Sequence, residues 1–301
     1  MGPPPAVRRG RQPAGRVPAG ALLSSMLVDR EPLPLPISFL SDYGLADEFV
    51  GVVHGVILRI APDARIVDVT HQVRRGDVRA GALALVRAVQ YLPPGVALAV
   101  VDPGVGTGRR VLAVRTAWGF FVGPDNGLLA PAVAMVGGAE VAVSLEDPRF
   151  RLPCDGATFA GRDVFAPAAA VLASGQAGLG DLGPEVPADS LVPFLLPLAE
   201  VVEGVVRGQV WWVDGFGNCQ TNVAPDDLRA LGLAPGSAVE VEVSGIRQEM
   251  AWEAAYGEPR PTGVLHVDSY GLVAVAVPGG RADESFGLRE GTPIGFRKPA
   301  D

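Results

Sequence analysis

The chain has 301 residues, 48% of them hydrophobic and 19% charged, with a net charge of -8, a balance that is ordinary for a globular protein and excludes wholesale disorder. The negative charge, with no basic run interleaved with aromatics, argues against a nucleic-acid or anionic-membrane surface and suits a small cationic ligand. No apolar run reaches the roughly 20 residues that span a bilayer, and two cysteines, Cys154 and Cys219, in no metal-type spacing indicate neither a disulfide framework nor a metal site, which fits the cytoplasm.

Residues 1–34 hold many prolines and the arginines at 8, 9, 11 and 16. Without apolar periodicity this stretch is expected to be a disordered extension. Arg8-Arg9 ahead of Ala19 to Leu27 leaves an export signal as the alternative. The folded chain begins at Leu35 to Leu40, a strand running into Ser41-Asp42-Tyr43-Gly44. Asp47 is expected to cap a helix in which Phe49, Val50, Val53, Ile57 and Ile60 fall at three- and four-residue steps. Ala64 to Val69 is the second strand, Val78 to Tyr91 an alanine-rich helix, and Ala97 to Val101 the third strand. Three such units in succession predict an α/β domain, its mostly parallel sheet flanked by helices, over 35–197.

The third strand runs into Asp102-Pro103-Gly104-Val105-Gly106-Thr107-Gly108-Arg109-Arg110. Ligands of open α/β sheets sit beyond the carboxyl ends of parallel strands, where Asp42 and Asp102 both fall. The glycines let the backbone turn sharply, so that Arg109 can fold back toward Asp102. A glycine-rich turn with a surface ion pair is the plainer alternative. Arg110 to Arg115 and Gly119 to Val122 predict a hairpin, followed by a polar loop and a helix from Leu128. Val141 to Ser144 predicts a strand, and Thr158 to Asp163 introduces a helix over Val164 to Ser174. From Gly178 to Pro197 prolines and glycines break all periodicity. Short strands then follow at Gly208 to Val213, Ala238 to Val243, Gly263 to Asp268, Leu272 to Val277 and Thr292 to Phe296, which predicts a small β-barrel or sandwich over 198–301. Its loop Asp214-Gly215-Phe216-Gly217-Asn218 can hold a flat base against Phe216.

Six blocks, taken together, resemble one family. They are Ser41 to Gly44 with Asp47 and Val50-Gly51, Val67 to His71, Val101 to Arg110, Gly123 to Leu129, Gly161-Arg162-Asp163, and Asp214 to Asn218. In order and spacing, from Ile37 to Phe296, they resemble the S-adenosyl-L-methionine (SAM) hydroxide adenosyltransferases, relatives of the fluorinase and chlorinase. The resemblance implies a homotrimer with sites between one subunit's first domain and its neighbour's barrel, and a reaction in which water attacks the ribose 5′ carbon of SAM. SAM is then the substrate, and no separate cofactor is implied. Residue by residue, Asp42 matches the acid on the ribose hydroxyls, while Asp47 and Asp214 match acids near the methionine ammonium. Phe216 and Asn218 match the residues that stack and read adenine, and Ser269 a serine near the methionine carboxylate. Asp102 and Arg109 match two of three members of a water-activating Asp, Arg, His set.

The third member is missing, because Ala160 stands where those enzymes have the histidine before Gly-Arg-Asp. His54, His71 and His266 belong to a helix, a loop and a strand elsewhere. Three functions follow from this: a hydrolase slowed by the loss, a non-catalytic SAM-binding sensor or buffer, or a halide-using relative. Asp102 disfavours the last by placing negative charge beside an incoming anion.

Overall fold

The computed structural model describes residues 33–194, 197–258 and 261–299. The expectations for residues 1–32 therefore lie outside the described residues.

The first unit runs β1 (Ile37–Ser41), α1 (Phe49–Ile60), β2 (Ile66–Thr70), α2 (Val78–Val89), β3 (Val96–Val100), β4 (Val111–Arg115), β5 (Phe120–Pro124), α3 (Ala130–Met135), β6 (Val141–Ser144), α4 (Ala166–Ser174) and β7 (Glu185–Val186). Its sheet has the order β2-β1-β3-β5-β4-β6-β7. The pairs β2-β1, β1-β3 and β3-β5 are parallel, and the pairs from β5 to β7 are antiparallel. Every residue of β1 and β3 is buried, as expected for strands covered by helices on both faces. On one face α1 packs Val50, Val53 and Ile57 with the alanine-rich α4. On the other, α2 packs Ala82, Leu85 and Val89 with Ala132 and Val133 of α3. The β4-β5 hairpin turns at Gly119, whose φ of 149° and close approach to the Gly95 carbonyl leave no room for a Cβ.

Two local expectations are corrected. Asp47 does not cap α1: Glu48 holds the N-cap position with no side-chain cap bond, and Asp47 is exposed, 3.7 Å from Arg75. The helix starts too late in the chain for Asp47 to reach its free amides. Asp77 does cap α2, accepting from the Ala80 amide at 2.9 Å. The helix expected at Val164 instead begins as a π-turn at Gly161–Phe165 and becomes α-helical only at Ala166. Such wide turns are frequent at functional sites.

The second unit comprises β8 (Glu200–Val202), β9 (Val205–Val213), β10 (Cys219–Thr221), α5 (Pro225–Ala230), β11 (Ala238–Val243), β12 (Ile246–Trp252), β13 (Val264–Val267), β14 (Val273–Ala276), α6 (Ala282–Phe286) and β15 (Pro293–Arg297). Strands β10-β14-β13-β12-β11-β15-β9 form a ring that the β9-β10 pairing closes, with β8 outside it on β9. This is a seven-stranded barrel with no free edge. Strand β12, absent from the sequence reading, has a polar outer face that masks it, while Met250 and Trp252 point into the barrel core beside Val241 and Phe296. The two units meet where the Arg87 guanidinium of α2 lies between Trp212 and Tyr270, at 4.9 and 4.0 Å from the ring centroids. Arg74 also pairs with Glu290 across this junction at 3.3 Å. Among the described residues no helix is long and apolar enough to cross a membrane.

Trp252 is 1% exposed. Its replacement by alanine leaves a cavity in the barrel core and is expected to cost about 3–5 kcal/mol. Urea unfolding followed by far-ultraviolet circular dichroism should show the loss as a lowered midpoint.

Candidate active site

Two adjacent parallel strands deliver the two acids. β1 and β3 pair in a register that matches Ser41 with Val100, and the Asp42 amide continues the ladder to the Val100 carbonyl. Asp42 and Asp102 therefore emerge side by side at one end of the sheet. The Asp42 carboxylate accepts from the Gly76 amide at 2.7 Å. Burial pushes its pKa above the usual carboxylate value, the Gly76 bond opposes that rise, and the charge of Asp102 adds to it.

Asp102 is answered by Arg109. The Arg109 Nε donates to Oδ1 at 2.6 Å and its Nη2 to Oδ2, a bidentate pair whose side chains are only 6% and 14% exposed for the acid and base. The turn between them is set by Gly106, at φ 80°, and by Thr107, whose hydroxyl bonds the Gly104 carbonyl at 2.7 Å and accepts from the Arg109 amide at 3.4 Å. The ion pair is thus part of a buried, ordered site and not a surface contact. Among the described residues Nη1 of Arg109 makes no hydrogen bond, which leaves it for a ligand. Arg109 and Ala160 line one cavity of about 590 Å³, together with Thr107 and Asp163.

Tyr43, which the sequence reading quotes without a role, closes this end of the site. Its ring packs on Phe49 and Phe159. Burial first, and then the charges of Asp42 and Asp102, push its phenol well above the usual range, so it stays protonated and can donate. Its hydroxyl fills the space a Cβ on Gly161 would need. Glycine at 161 is therefore required by close approach and not by φ. Beside it, Arg162 bonds the buried Asp163 at 2.6 Å and orders the π-turn.

The barrel gathers the remaining candidates. Asp214 Oδ1 accepts from the amides of Phe216 and Asn218, and its Oδ2 from Asn218 Nδ2, all at 2.9 Å. Both oxygens are spent on its own loop, so Asp214 shapes that loop. Gly217, at φ 85°, is pressed against Arg281 and Asp283. Asn218, Asp214 and Ser269 line a cleft of about 310 Å³ with Arg87, Tyr256 and Tyr270. Phe216 is 81% exposed and borders a second hollow with Asn218, Tyr256 and Gly279. Tyr256 and Arg87 were not legible in the sequence, because each reaches the site from an element with no motif of its own. Asp47 is exposed and pairs with Arg75, whose charge also acts on Asp42.

The three histidines are placed elsewhere. His54 and His71 both bond Asp68, and the His266 ring packs edge-on against Tyr256 at 4.6 Å. His71, in the loop after β2 as expected, and His266 are each 4% exposed. None supplies an imidazole to Asp102 and Arg109. Cys154 and Cys219 are unpaired, and burial pushes the Cys219 thiol up to about 12, which makes it unreactive.

An α/β sheet end carrying paired acids and a bidentate arginine, joined to a closed barrel with an aromatic and amide loop, defines a two-domain binder of a small polar ligand. Residues 37–183 match the model of the SAM hydroxide adenosyltransferase N-terminal domain and residues 208–295 that of its C-terminal domain. The chain is 47% identical over 263 residues to the (R)-S-adenosyl-L-methionine hydrolase of Salinispora arenicola, covering 86% of this chain and 96% of that one. It is 45% identical to the hydrolase of the same name from Thermus thermophilus, covering 86% and 98%. A fluorinase of Nocardia brasiliensis is 28% identical, with 86% and 95% covered. The solved structure of an uncharacterized conserved protein from Thermotoga maritima superposes with a TM-score of 0.81 at 34% identity, covering 87% and 100%. The chain belongs to the SAM hydroxide adenosyltransferase family.

Because a Cβ at position 161 overlaps the Tyr43 hydroxyl, Gly161→Ala is expected to displace Tyr43 and cost about 1–3 kcal/mol of stability. Removing the hydroxyl with Tyr43→Phe in that background should restore part of the thermal midpoint. No recovery in the double variant would place the clash elsewhere.

Proposed function

We propose that this chain cleaves SAM by attack of water on the ribose 5′ carbon, giving adenosine and L-methionine. The observation that carries the reading is the buried Asp102–Arg109 pair beside Asp42, in a chain whose relatives at 45–48% identity are named SAM hydrolases. One C–O bond forms and one C–S bond breaks. The sulfonium takes the bonding electron pair and leaves as a neutral thioether, so no general acid is needed; one proton of the water is released. What the reaction lacks is a nucleophile stronger than water. Asp102 keeps carboxylate lone pairs beyond the two that Arg109 occupies and can accept that proton, while Nη1 of Arg109 stabilises the developing hydroxide.

Asp42 holds the ribose hydroxyls. Phe216 stacks on adenine, and Asn218, its Nδ2 committed to Asp214, offers its carbonyl oxygen to the exocyclic amine. Ser269 takes the methionine carboxylate. Asp47 is the acid left for the ammonium, because Asp214 holds the loop that carries Phe216 and Asn218. Among the described residues no hydrogen bond or ion pair joins the Asp42 group to the Phe216 group within one chain. This supports a homotrimer in which each barrel completes a neighbour's sheet-end site and covers the exposed Phe216. The unpaired thiols and the absence of a membrane-crossing helix among the described residues support action in the cytoplasm.

Purified protein incubated with SAM is expected to yield adenosine and methionine in equal amounts by chromatography, and Asp102→Asn to slow that release by about 10²-fold to 10⁴-fold. Intact SAM recovered from a tight complex would favour the sensor instead. Because Ala160 lines the cavity onto which Arg109 opens, Ala160→His should accelerate hydrolysis, and Asp102→Asn in that background should cancel the gain. Light scattering is expected to give three times the chain mass; a monomer at working concentration would leave the site half built.

A further inference from the structure

Three side chains that the hydrolysis does not use converge behind the Asp42 loop, one each from α1, β2 and the turn after β2. His54 Nε2 lies 2.9 Å from Asp68 Oδ1, and His71 Nε2 lies 3.0 Å from the same oxygen. All three candidate donor atoms fall within 4.8 Å of one another. The geometry points to a divalent transition-metal site of the zinc class at His54, Asp68 and His71.

The spacing fits an ion. Zinc binds imidazole nitrogen and carboxylate oxygen at about 2.0–2.2 Å, so neighbouring ligand atoms around it stand roughly 3 Å apart. The carboxylate already stands at that separation from each imidazole, and all three donors lie within 4.8 Å of one another. The donor set selects the ion: two imidazoles with a single carboxylate suit zinc, iron, cobalt or nickel, and are too poor in oxygen for calcium or magnesium.

The surroundings are those of a built ligand. The His71 side chain is 3% exposed and is pinned on two sides. Its ring packs on Phe39 at 4.5 Å, and its Nδ1 lies 2.8 Å from the Ser41 hydroxyl. When Nε2 takes a metal, Nδ1 carries the proton and donates it to Ser41 Oγ, the outer bond that orients a metal-binding imidazole. His54 and Asp68, 28% and 46% exposed in their side chains, face solvent, which gives the ion an entry path and water for its remaining positions. Cysteine spacing is blind to such a site, because the residues at 54, 68 and 71 are joined only by the packing of α1 on the sheet.

The location couples the metal to the substrate end. Ser41 immediately precedes Asp42, and the Gly44 amide donates to the His71 carbonyl at 2.7 Å. An ion on His71 therefore braces both ends of the Ser41–Gly44 turn.

The test uses the untagged, full-length protein stripped with a chelator and titrated with zinc chloride in a calorimeter. One ion per chain is expected, with a zinc-dependent rise in thermal midpoint that follows from binding the folded state only. His54→Ala should abolish both, and Ser41→Ala should weaken binding by about 10-fold to 100-fold. Cobalt(II) should give a visible ligand-field spectrum in the wild type that His54→Ala loses. Failure of the wild type to bind zinc, equal binding by His54→Ala, or magnesium binding as tightly as zinc would overturn the assignment. Each readout is independent of SAM hydrolysis, so a failure here and a failure of the proposed reaction are separately visible.

Discussion

The parallel register of β1 and β3 is the constraint from which the site follows. Because Ser41 faces Val100, both strands stop at the same level, and Asp42, one residue beyond β1, and Asp102, two beyond β3, leave the same end of the sheet. Sheet geometry thus forces two carboxylates into one partly buried edge, where each disfavours the other's charge. The chain answers with Arg109, turned back by Gly106 and Thr107 so that its guanidinium takes both oxygens of Asp102. Without that cation the sheet would end on an uncompensated buried charge, a much larger cost than a surface pair could offset. Asp42, answered by the single Gly76 amide, remains the acid with capacity for a ligand.

What could be read in the sequence divides along a physical line. The α/β unit was legible because its elements are long and its periods clear: β1 and β3 are continuous apolar runs, and α1 repeats Val50, Val53 and Ile57 at helical steps. Asp102 and Arg109 were legible because glycines mark the turn that brings them together. The barrel was legible only in outline. Strand β10 is three residues long, β12 carries Arg247 and Glu249 on its outer side, and closure by the β9-β10 pair depends on contacts that no local pattern encodes. The same holds for Tyr256 and Arg87, which reach the cleft from elements whose local sequence says nothing about it. The roles of Asp47 and Asp214 were read from a resemblance in order and spacing, and position alone does not show that Asp214 spends its oxygens on its own loop.

That expenditure has a purpose in the barrel. A loop presenting an exposed aromatic ring costs conformational entropy unless it is held before the ligand arrives. Asp214 fixes the amides on either side of Gly217, while Arg281 donates to the Gly215 carbonyl at 3.0 Å and also pairs with Asp283. Phe216 is therefore presented on a rigid frame, and the Arg87 clamp between Trp212 and Tyr270 fixes that frame against the α/β unit. Each half is ordered by its own chain, so its surface is formed before a ligand arrives.

On the proposed route the charge of the sheet-end site also separates substrate from products. Arg109 neutralises Asp102, so the group of Asp42, Asp102 and Arg109 carries one net negative charge while Asp42 is ionised. The sulfonium of SAM is a cation and is drawn to such a site in the low-dielectric surroundings that Tyr43, Phe49 and Phe159 provide. Cleavage on the proposed route converts it to a neutral thioether and leaves a neutral nucleoside, so the attraction that favoured binding ends with the C–S bond. The positive charge passes to the water proton that Asp102 takes up on that route, so the products leave uncharged at the reacting centre and loss of that proton restores the site.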